Sequence, residues 1–391
     1  MINPHQHELR PEVSKDQASR QEFVSALRSH VLGHMAETMR DRYQQRIESG
    51  RSEFVPTTGP EVHEAMQSDP YFRFYSAVRV NAQEMVFRSV VPVVDAQLED
   101  LNRKAADIRA TADAEPALAE DFEVPRNVTA IDVHLSPGSY HTEYADNDVA
   151  AGAIYDNSIN VFAFNQMGRN IDDIGHTMAN YTRLKLTDIE PRRILDCGCT
   201  VGHNTVPWKQ AFPEAEVTGI DVSAPLMRYA SARAASFGQD VNFAQMNATA
   251  LDFPDNHFDV VFSSMFLHEL PLKDIRQYLA EAYRVLKPGG LLLTMELPPN
   301  SSLEPYEQFY LDWDCYYNNE PFYKAFRDQD AAQLCEQAGF DKSQFFDFQA
   351  PRYSYMPEDE WLAKLDAEAV YDDHSGTLTD GLRWYAFGCR K

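Results

Sequence analysis

The stretch ILDCGCTVGHNT, residues 194–205, runs two apolar residues into Asp196 and then into a small-residue loop held between Gly198 and Gly202. A carboxylate and a glycine turn at the end of a buried strand suit a small polar ligand that must approach the backbone. The polar residues after Gly202 open a helix, whose first N–H groups favour an anionic group. Farther on, VTGIDVS puts a second acid, Asp221, at the end of another strand. MNATALDF then carries Asn247, and SSMFLHEL carries His268 and Glu269. His268 is the candidate general base, against the plainer reading of a polar pair that shapes its loop.

Other reactive side chains invite less. Cys197 and Cys199 lack the further ligands of a zinc site and read as filling of a tight turn. His30 and His34 sit one helical turn apart beside Leu27 and Val31, so helix packing or a surface place suits them better. His134, His141 and His176 have no partner at a motif-like spacing. No metal centre is expected.

The elements that position these residues fall into two textures. Over the first 110 residues the pattern is helical: an apolar stripe runs from Val24 to Tyr43, and Asp69 with Pro70 starts a second helix carrying Tyr71, Phe74, Tyr75, Val78, Ala82 and Met85. Pro92 should kink or end it. Residues 111–125 read as a linker, NVTAIDVHL as a strand, and residues 160–184 as one helix. After Pro191, strand and helix alternate. Seven strand candidates, RRILDCG, EVTGIDVS, NFAQMNA, FDVVFSSMF, GGLLLTMEL, QFFDFQ and RWYAFGCRK, argue for a doubly wound, mostly parallel α/β sheet.

Composition narrows the chemistry. The chain has 391 residues and a net charge of −25, with 35 basic residues against 60 acidic ones. Such a surface offers no general grip on phosphates, which argues against nucleic acid and for a small-molecule substrate. No apolar run approaches the length of a membrane span, and the N-terminus has no secretory apolar region. Five cysteines, an odd number, suit reduced thiols in a cytoplasm.

Two cofactor classes compete for the glycine turn. A nicotinamide dinucleotide calls for G-x-G-x-x-G, but Thr200 stands where its middle glycine belongs. The spacing Asp196-x-Gly198-x-x-x-Gly202 instead resembles the first motif of class I S-adenosyl-L-methionine-dependent methyltransferases, and the wording is nearest to their ubiquinone/menaquinone-biosynthesis-like branch. The resemblance covers roughly residues 190–350 and takes in VTGIDVS, the Asn247 turn, the His268 loop, AYRVLKPGGLLLTMEL and LCEQAGF. It implies a Rossmann-like seven-stranded fold and S-adenosyl-L-methionine as cofactor. The implied cofactor-binding residues are Asp196, Gly198, Cys199, Thr200, Gly202, Asp221, Val222, Asn247, Ala248 and Ser264, with Tyr155 closing from outside the motifs. Many relatives carry Asp where Asn247 stands, accepting from the adenine amine; the amide oxygen of Asn247 can still accept there, without charge assistance.

The reading is then an enzyme that transfers a methyl group to an O, N or C atom of a small metabolite, with His268 beside the acceptor. Residues 1–125 form a helical cap or dimerisation region, 126–175 a connecting segment, and 176–391 the methyltransferase domain with a lid at 300–326. Nine aromatic residues between 304 and 326, mixed with acids, suit enclosure of a ring or an amine. The expected setting is cytoplasmic, without nucleic acid or membrane, and a homodimer through the N-terminal helices is a candidate assembly. A nicotinamide-dependent oxidoreductase and a non-catalytic cofactor-binding scaffold remain the alternatives.

Overall fold

The computed structural model describes residues 7–48, 55–164, 166–365 and 382–391. Its N-terminal helices are α1 (Lys15–Leu32), α2 (His34–Glu48), α3 (Gly59–Met66), α4 (Pro70–Asp95) and α5 (Leu98–Ala112). The single helix expected through Val24–Tyr43 is thus two, broken at Gly33, whose backbone leaves the helical region. Asp69 does cap α4, accepting from the Tyr71 N–H at 2.8 Å. Pro92 neither ends nor divides that helix; it sits in the last turn, and α4 runs on to Asp95.

The connecting segment departs from expectation. NVTAIDVHL is no strand but α6 (Arg126–Thr129) and a 3-10 turn at Val133–Leu135. The sheet edge it might have joined is occupied by Ala117, which exchanges backbone hydrogen bonds with Phe243 and Gln245. Residues 160–184 form no single helix either: α7 (Ala150–Phe162) and α8 (Asp173–Lys185) flank a turn at Gly168.

All seven strands are present: β1 (Arg193–Cys197), β2 (Glu216–Asp221), β3 (Asn242–Gln245), β4 (Phe258–Ser264), β5 (Leu286–Glu296), β6 (Phe346–Pro351) and β7 (Arg383–Arg390). They lie in the order β3-β2-β1-β4-β5-β7-β6. β1 to β5 pair in parallel, whereas β7 runs antiparallel between β5 and β6. Between them stand α9 (Thr205–Ala211), α10 (Ala224–Ser236), α11 (Leu272–Val285), α12 (Pro305–Tyr317), α13 (Tyr323–Arg327), α14 (Ala331–Ala338) and α15 (Glu358–Leu365).

Strand periodicity sends alternate residues to opposite faces. Ile194, Val260, Phe262 and Leu293 enter one core with α4, α7 and α8, while Leu195, Val261 and Leu292 enter a second under α11. A third cluster joins Val31, Met39, Phe72 and Tyr75 to Tyr306, Phe309 and Trp313 of α12. Each such buried ring contributes roughly 1.5–3 kcal/mol. The N-terminal stripes are therefore spent on the sheet and on α12, which roofs the carboxyl ends of the strands.

Candidate active site

The β1 loop owes its shape to the protein's own rings. Gly198 has φ +71, and a Cβ there would stand 2.3 Å from the Phe266 ring; Gly202 has φ +73, and its Cβ would meet Phe243 at 2.9 Å. The side on which a Cβ would stand at these glycines is thus filled by phenylalanines. Between them Thr200 holds φ +48, a rare conformation for a β-branched residue. That turn aims the Thr200 N–H at Asp221 Oδ2, 3.2 Å away, and the Ser223 N–H reaches Oδ1 at 3.1 Å. Burial outweighs these donors and pushes the Asp221 carboxyl up to about 6. Asp196 lies deeper, accepts from the Thr205 hydroxyl at 2.6 Å, and is pushed up to about 7 by burial. Burial also raises the Cys199 thiol, so it is no ready nucleophile.

Two cavities open at the carboxyl ends of the strands. The larger, about 620 Å³, is lined by Asp221, Val222, Asn247 and Ala248. The smaller, about 240 Å³, is lined by Asp196, Cys199, Ser264 and His268, and is roofed by Leu32, Phe87, Tyr310 and Tyr323. Gly198, Thr200, Tyr155, Tyr140, Met265 and His134 belong to both walls, so the cavities meet at the β1 loop. Gly202 lines neither. Tyr155 closes edge-on against Tyr140 at 4.9 Å between ring centres and stacks on His203. Asn247 differs from expectation: its Oδ1 already accepts from the N–H and hydroxyl of Thr249, both at 2.9 Å, so it builds its own turn.

At the smaller cavity, His268 Nδ1 donates to Glu296 Oε2 at 2.6 Å, and Glu296 also accepts the Phe266 and Leu267 N–H groups. Burial alone would lower the imidazole, but Glu296, helped by Glu269 and Glu320, outweighs it and raises His268 to about 9. The carboxylates around it thus hold the proton on the expected base more firmly than on an ordinary imidazole. Its Nε2 lies 3.7 Å from Glu269 Oε1. His134 Nε2 faces the same carboxylate at 3.4 Å and Glu320 Oε1 at 3.1 Å.

Spacing along the chain did not disclose this cluster. Glu296 carried a signal: like Asp196 and Asp221, it is an acid at the carboxyl end of a parallel strand. His134 and Tyr140 carried none, because α4 and the lid place them from far away in sequence. The Gln83 amide donates to the His134 carbonyl at 2.8 Å, and the Asn319 amide donates to the Asp132 carbonyl at 2.8 Å. The lid splits its aromatics between two tasks: Tyr306, Phe309 and Trp313 pack on the N-terminal helices, whereas Tyr310 and Tyr323 line the cavity.

Comparison with known proteins agrees with this geometry. Residues 194–290 match the family model described as a methyltransferase domain. A demethylmenaquinone methyltransferase of Thermus thermophilus is 38% identical over 109 residues, 28% of this chain and 49% of that one. A malonyl-[acyl-carrier protein] O-methyltransferase of Coxiella burnetii is 32% identical over 141 residues, covering 36% and 45%. A ubiquinone/menaquinone biosynthesis C-methyltransferase of Desulfotalea psychrophila is 33% identical over 120 residues, covering 30% and 47%. The chain thus spans about half the length of these curated relatives. Residues 194–290 carry a methyltransferase domain, for which the cofactor is S-adenosyl-L-methionine. The residues present fit that cofactor. The two oxygens of Asp221 each keep a lone pair for a diol beside their backbone donors, and Val222, Met246 and Ala248 give a flat ring apolar walls.

Proposed function

We propose that the protein methylates an O, N or C atom of a compact small molecule held in the smaller cavity. The observation that carries this reading is the meeting of the two cavities at Gly198, Thr200 and Met265. Bound S-adenosyl-L-methionine supplies a methyl group already activated on a sulfonium. Asp221 holds the ribose hydroxyls, the Asn247–Ala248 turn flanks the adenine, and the β1 loop takes the methionine end. In the adjoining cavity His268, oriented by Glu296, presents an N–H to the acceptor and positions it. Alignment of this kind supplies about 7–11 kcal/mol of a bimolecular barrier.

At about 240 Å³ the acceptor space lies below the roughly 300–1,000 Å³ of a pocket for a drug-sized ligand, hence a compact acceptor. The N-terminal helices act as its cover. Buried, unpaired Cys197, Cys199, Cys315, Cys335 and Cys389 support a cytoplasmic setting. No described helix is long and apolar enough to cross a membrane. Exposed Phe23 and Phe74 on the outer N-terminal helices support a homodimer there, to be read from light scattering.

The test is calorimetry with S-adenosylhomocysteine and with NADH, followed by incubation of the full chain with methyl-labelled cofactor and a metabolite extract. Tight binding of the former alone and label in a small product are expected. Binding of NADH in its place would favour the oxidoreductase, and cofactor binding without any labelled product would favour the scaffold.

A further inference from the structure

His134, Glu269 and Glu320 bring one imidazole and two carboxylates together where the two cavities meet. They come from three separated pieces of chain: the 3-10 turn at Val133–Leu135, the turn after β4, and the lid between α12 and α13. Their nearest oxygens and nitrogen all lie within 4.8 Å of one another. His134 Nε2 stands 3.4 Å from Glu269 Oε1 and 3.1 Å from Glu320 Oε1. Two ligand atoms each about 2.1 Å from one ion, at tetrahedral or octahedral angles, stand about 3.0–3.4 Å apart. We propose that these three side chains hold a divalent first-row transition-metal ion at the mouth of the acceptor cavity.

Several independent features fit a ligand set better than a simple ion pair. His134 Nδ1 is 2.7 Å from the Tyr140 hydroxyl. With Nδ1–H donating to that oxygen, the Nε2 lone pair faces the two carboxylates, which is how ligating histidines are usually oriented. Asn318 donates to Glu320 and fixes that carboxylate in turn. The backbone of His134 and of Leu135 holds φ of 57° and 60°. Two successive non-glycine residues in that region are strained, and such strain gathers at working sites. His268 keeps its own partner Glu296 and faces Glu269 only at 3.7 Å, so it stays outside the donor set. One imidazole with two carboxylates suits Mn²⁺, Fe²⁺, Co²⁺ or Zn²⁺ better than Mg²⁺. His134 and Glu320 line the smaller cavity and Glu269 the larger, so the remaining coordination positions open toward the acceptor, for water or for an acceptor oxygen.

This inference rests on the methyltransferase reading only for the acceptor's presence, and its test is a binding measurement. The full chain is stripped with a chelator and titrated with Mn²⁺ by electron paramagnetic resonance, and with Co²⁺, Zn²⁺ and Mg²⁺ by calorimetry. S-adenosylhomocysteine affinity and circular dichroism are measured on the same samples. A single equivalent of Mn²⁺, Co²⁺ or Zn²⁺ should bind, with Mg²⁺ at least tenfold weaker. Glu269→Gln and Glu320→Gln should each weaken it at least tenfold with unchanged circular dichroism. Tyr140→Phe, which keeps the ring, should weaken it about 10–100-fold. Absence of saturable binding in a chain that still binds S-adenosylhomocysteine would overturn the metal site and leave the methyltransferase reading standing. Equal metal affinity in both Gln variants would overturn its location. Metal binding in a chain without cofactor affinity would uphold the site and defeat the proposed function.

Discussion

The cofactor half and the acceptor half of the cleft are built in different ways. The cofactor half takes most of its wall from one run of chain, from β1 to the start of α11, and is closed on its other side by residues 125–155. The acceptor half is pieced together from α1, α4, the 126–175 segment, the β1 and β4 loops and the lid. It is held by buried charge: Arg79 pairs with Asp314 across α4 and α12, and Arg28 of α1 donates to Gln83 of α4. Breaking a buried pair on one side costs about 3–5 kcal/mol, so these contacts fix how the roof sits. The cofactor wall is thus mostly local in sequence, whereas the acceptor wall is assembled from distant pieces of chain.

The largest expected effect follows from removing the assembler. Deleting residues 1–125 strips α12 of the faces that cover Phe309 and Trp313 and takes away the Gln83 support of His134. Acceptor turnover should vanish, and the exposed apolar surface should drive aggregation. A soluble truncation with full turnover would break the distinction between the halves.

Next in size is His268→Ala. If this residue positions the acceptor, kcat should fall about 10²-fold, while S-adenosylhomocysteine affinity stays level because the ribose contacts lie in the other cavity. A fall nearer 10⁴-fold would restore the role of base. An unchanged kcat would remove His268 from the acceptor half.

The same division explains what could be read from the chain. All seven strands were legible, because short apolar runs ending in an acid or a turn stand between helical segments after Pro191. Asp221, Val222, Asn247 and Ala248 were legible as a group, since local loops carry them to one wall. The roles within the group were less so: the spacing of Gly198 and Gly202 says a Cβ is unwelcome, but not that Phe266 and Phe243 are the reason. The pairing of His134 with Glu320 was beyond reach. It depends on Gln83, Asn319 and Tyr140, none of which lies near its partner at a spacing that marks a motif. NVTAIDVHL shows the converse failure, a strand-like composition that folds as a short helix and a 3-10 turn while Ala117 bridges the β3 edge.

Asp221→Ala sharpens the comparison from the cofactor side. Loss of a charged acceptor should cost roughly 1.5–3 kcal/mol, more than tenfold in affinity, with the fold and the metal affinity intact. Calorimetry with S-adenosylhomocysteine reads it, and an unchanged affinity in a folded variant would remove the ribose from this wall.

The smallest effect is expected at the joint between the halves, where Asp156 of α7 accepts from His203 at 2.6 Å, from the Tyr229 hydroxyl at 2.7 Å and pairs with His7 at 2.7 Å. Burial alone would raise this carboxyl, but its histidine partners hold it well below the usual carboxylate range. Burial, with Arg233 nearby, lowers His203. At these two groups both shifts have one sign: in acid the unfolded chain binds more protons than the folded one, so this cluster's contribution to stability falls with falling pH. From pH 7 to 5 His203 carries the cluster's loss, as its unfolded imidazole titrates at about 6.5. The raised Asp196, Asp221 and His268 act in the opposite sense, so the cluster is read from the difference between wild type and variant. Below about 4 the unfolded Asp156 takes its proton as well, and the loss should steepen until the folded carboxyl titrates. Melting curves of the wild type and of Asp156→Asn across this range decide it. The variant should start lower at pH 7 and decline less below pH 4; a parallel decline would place the acid sensitivity elsewhere and leave the joint held by packing alone.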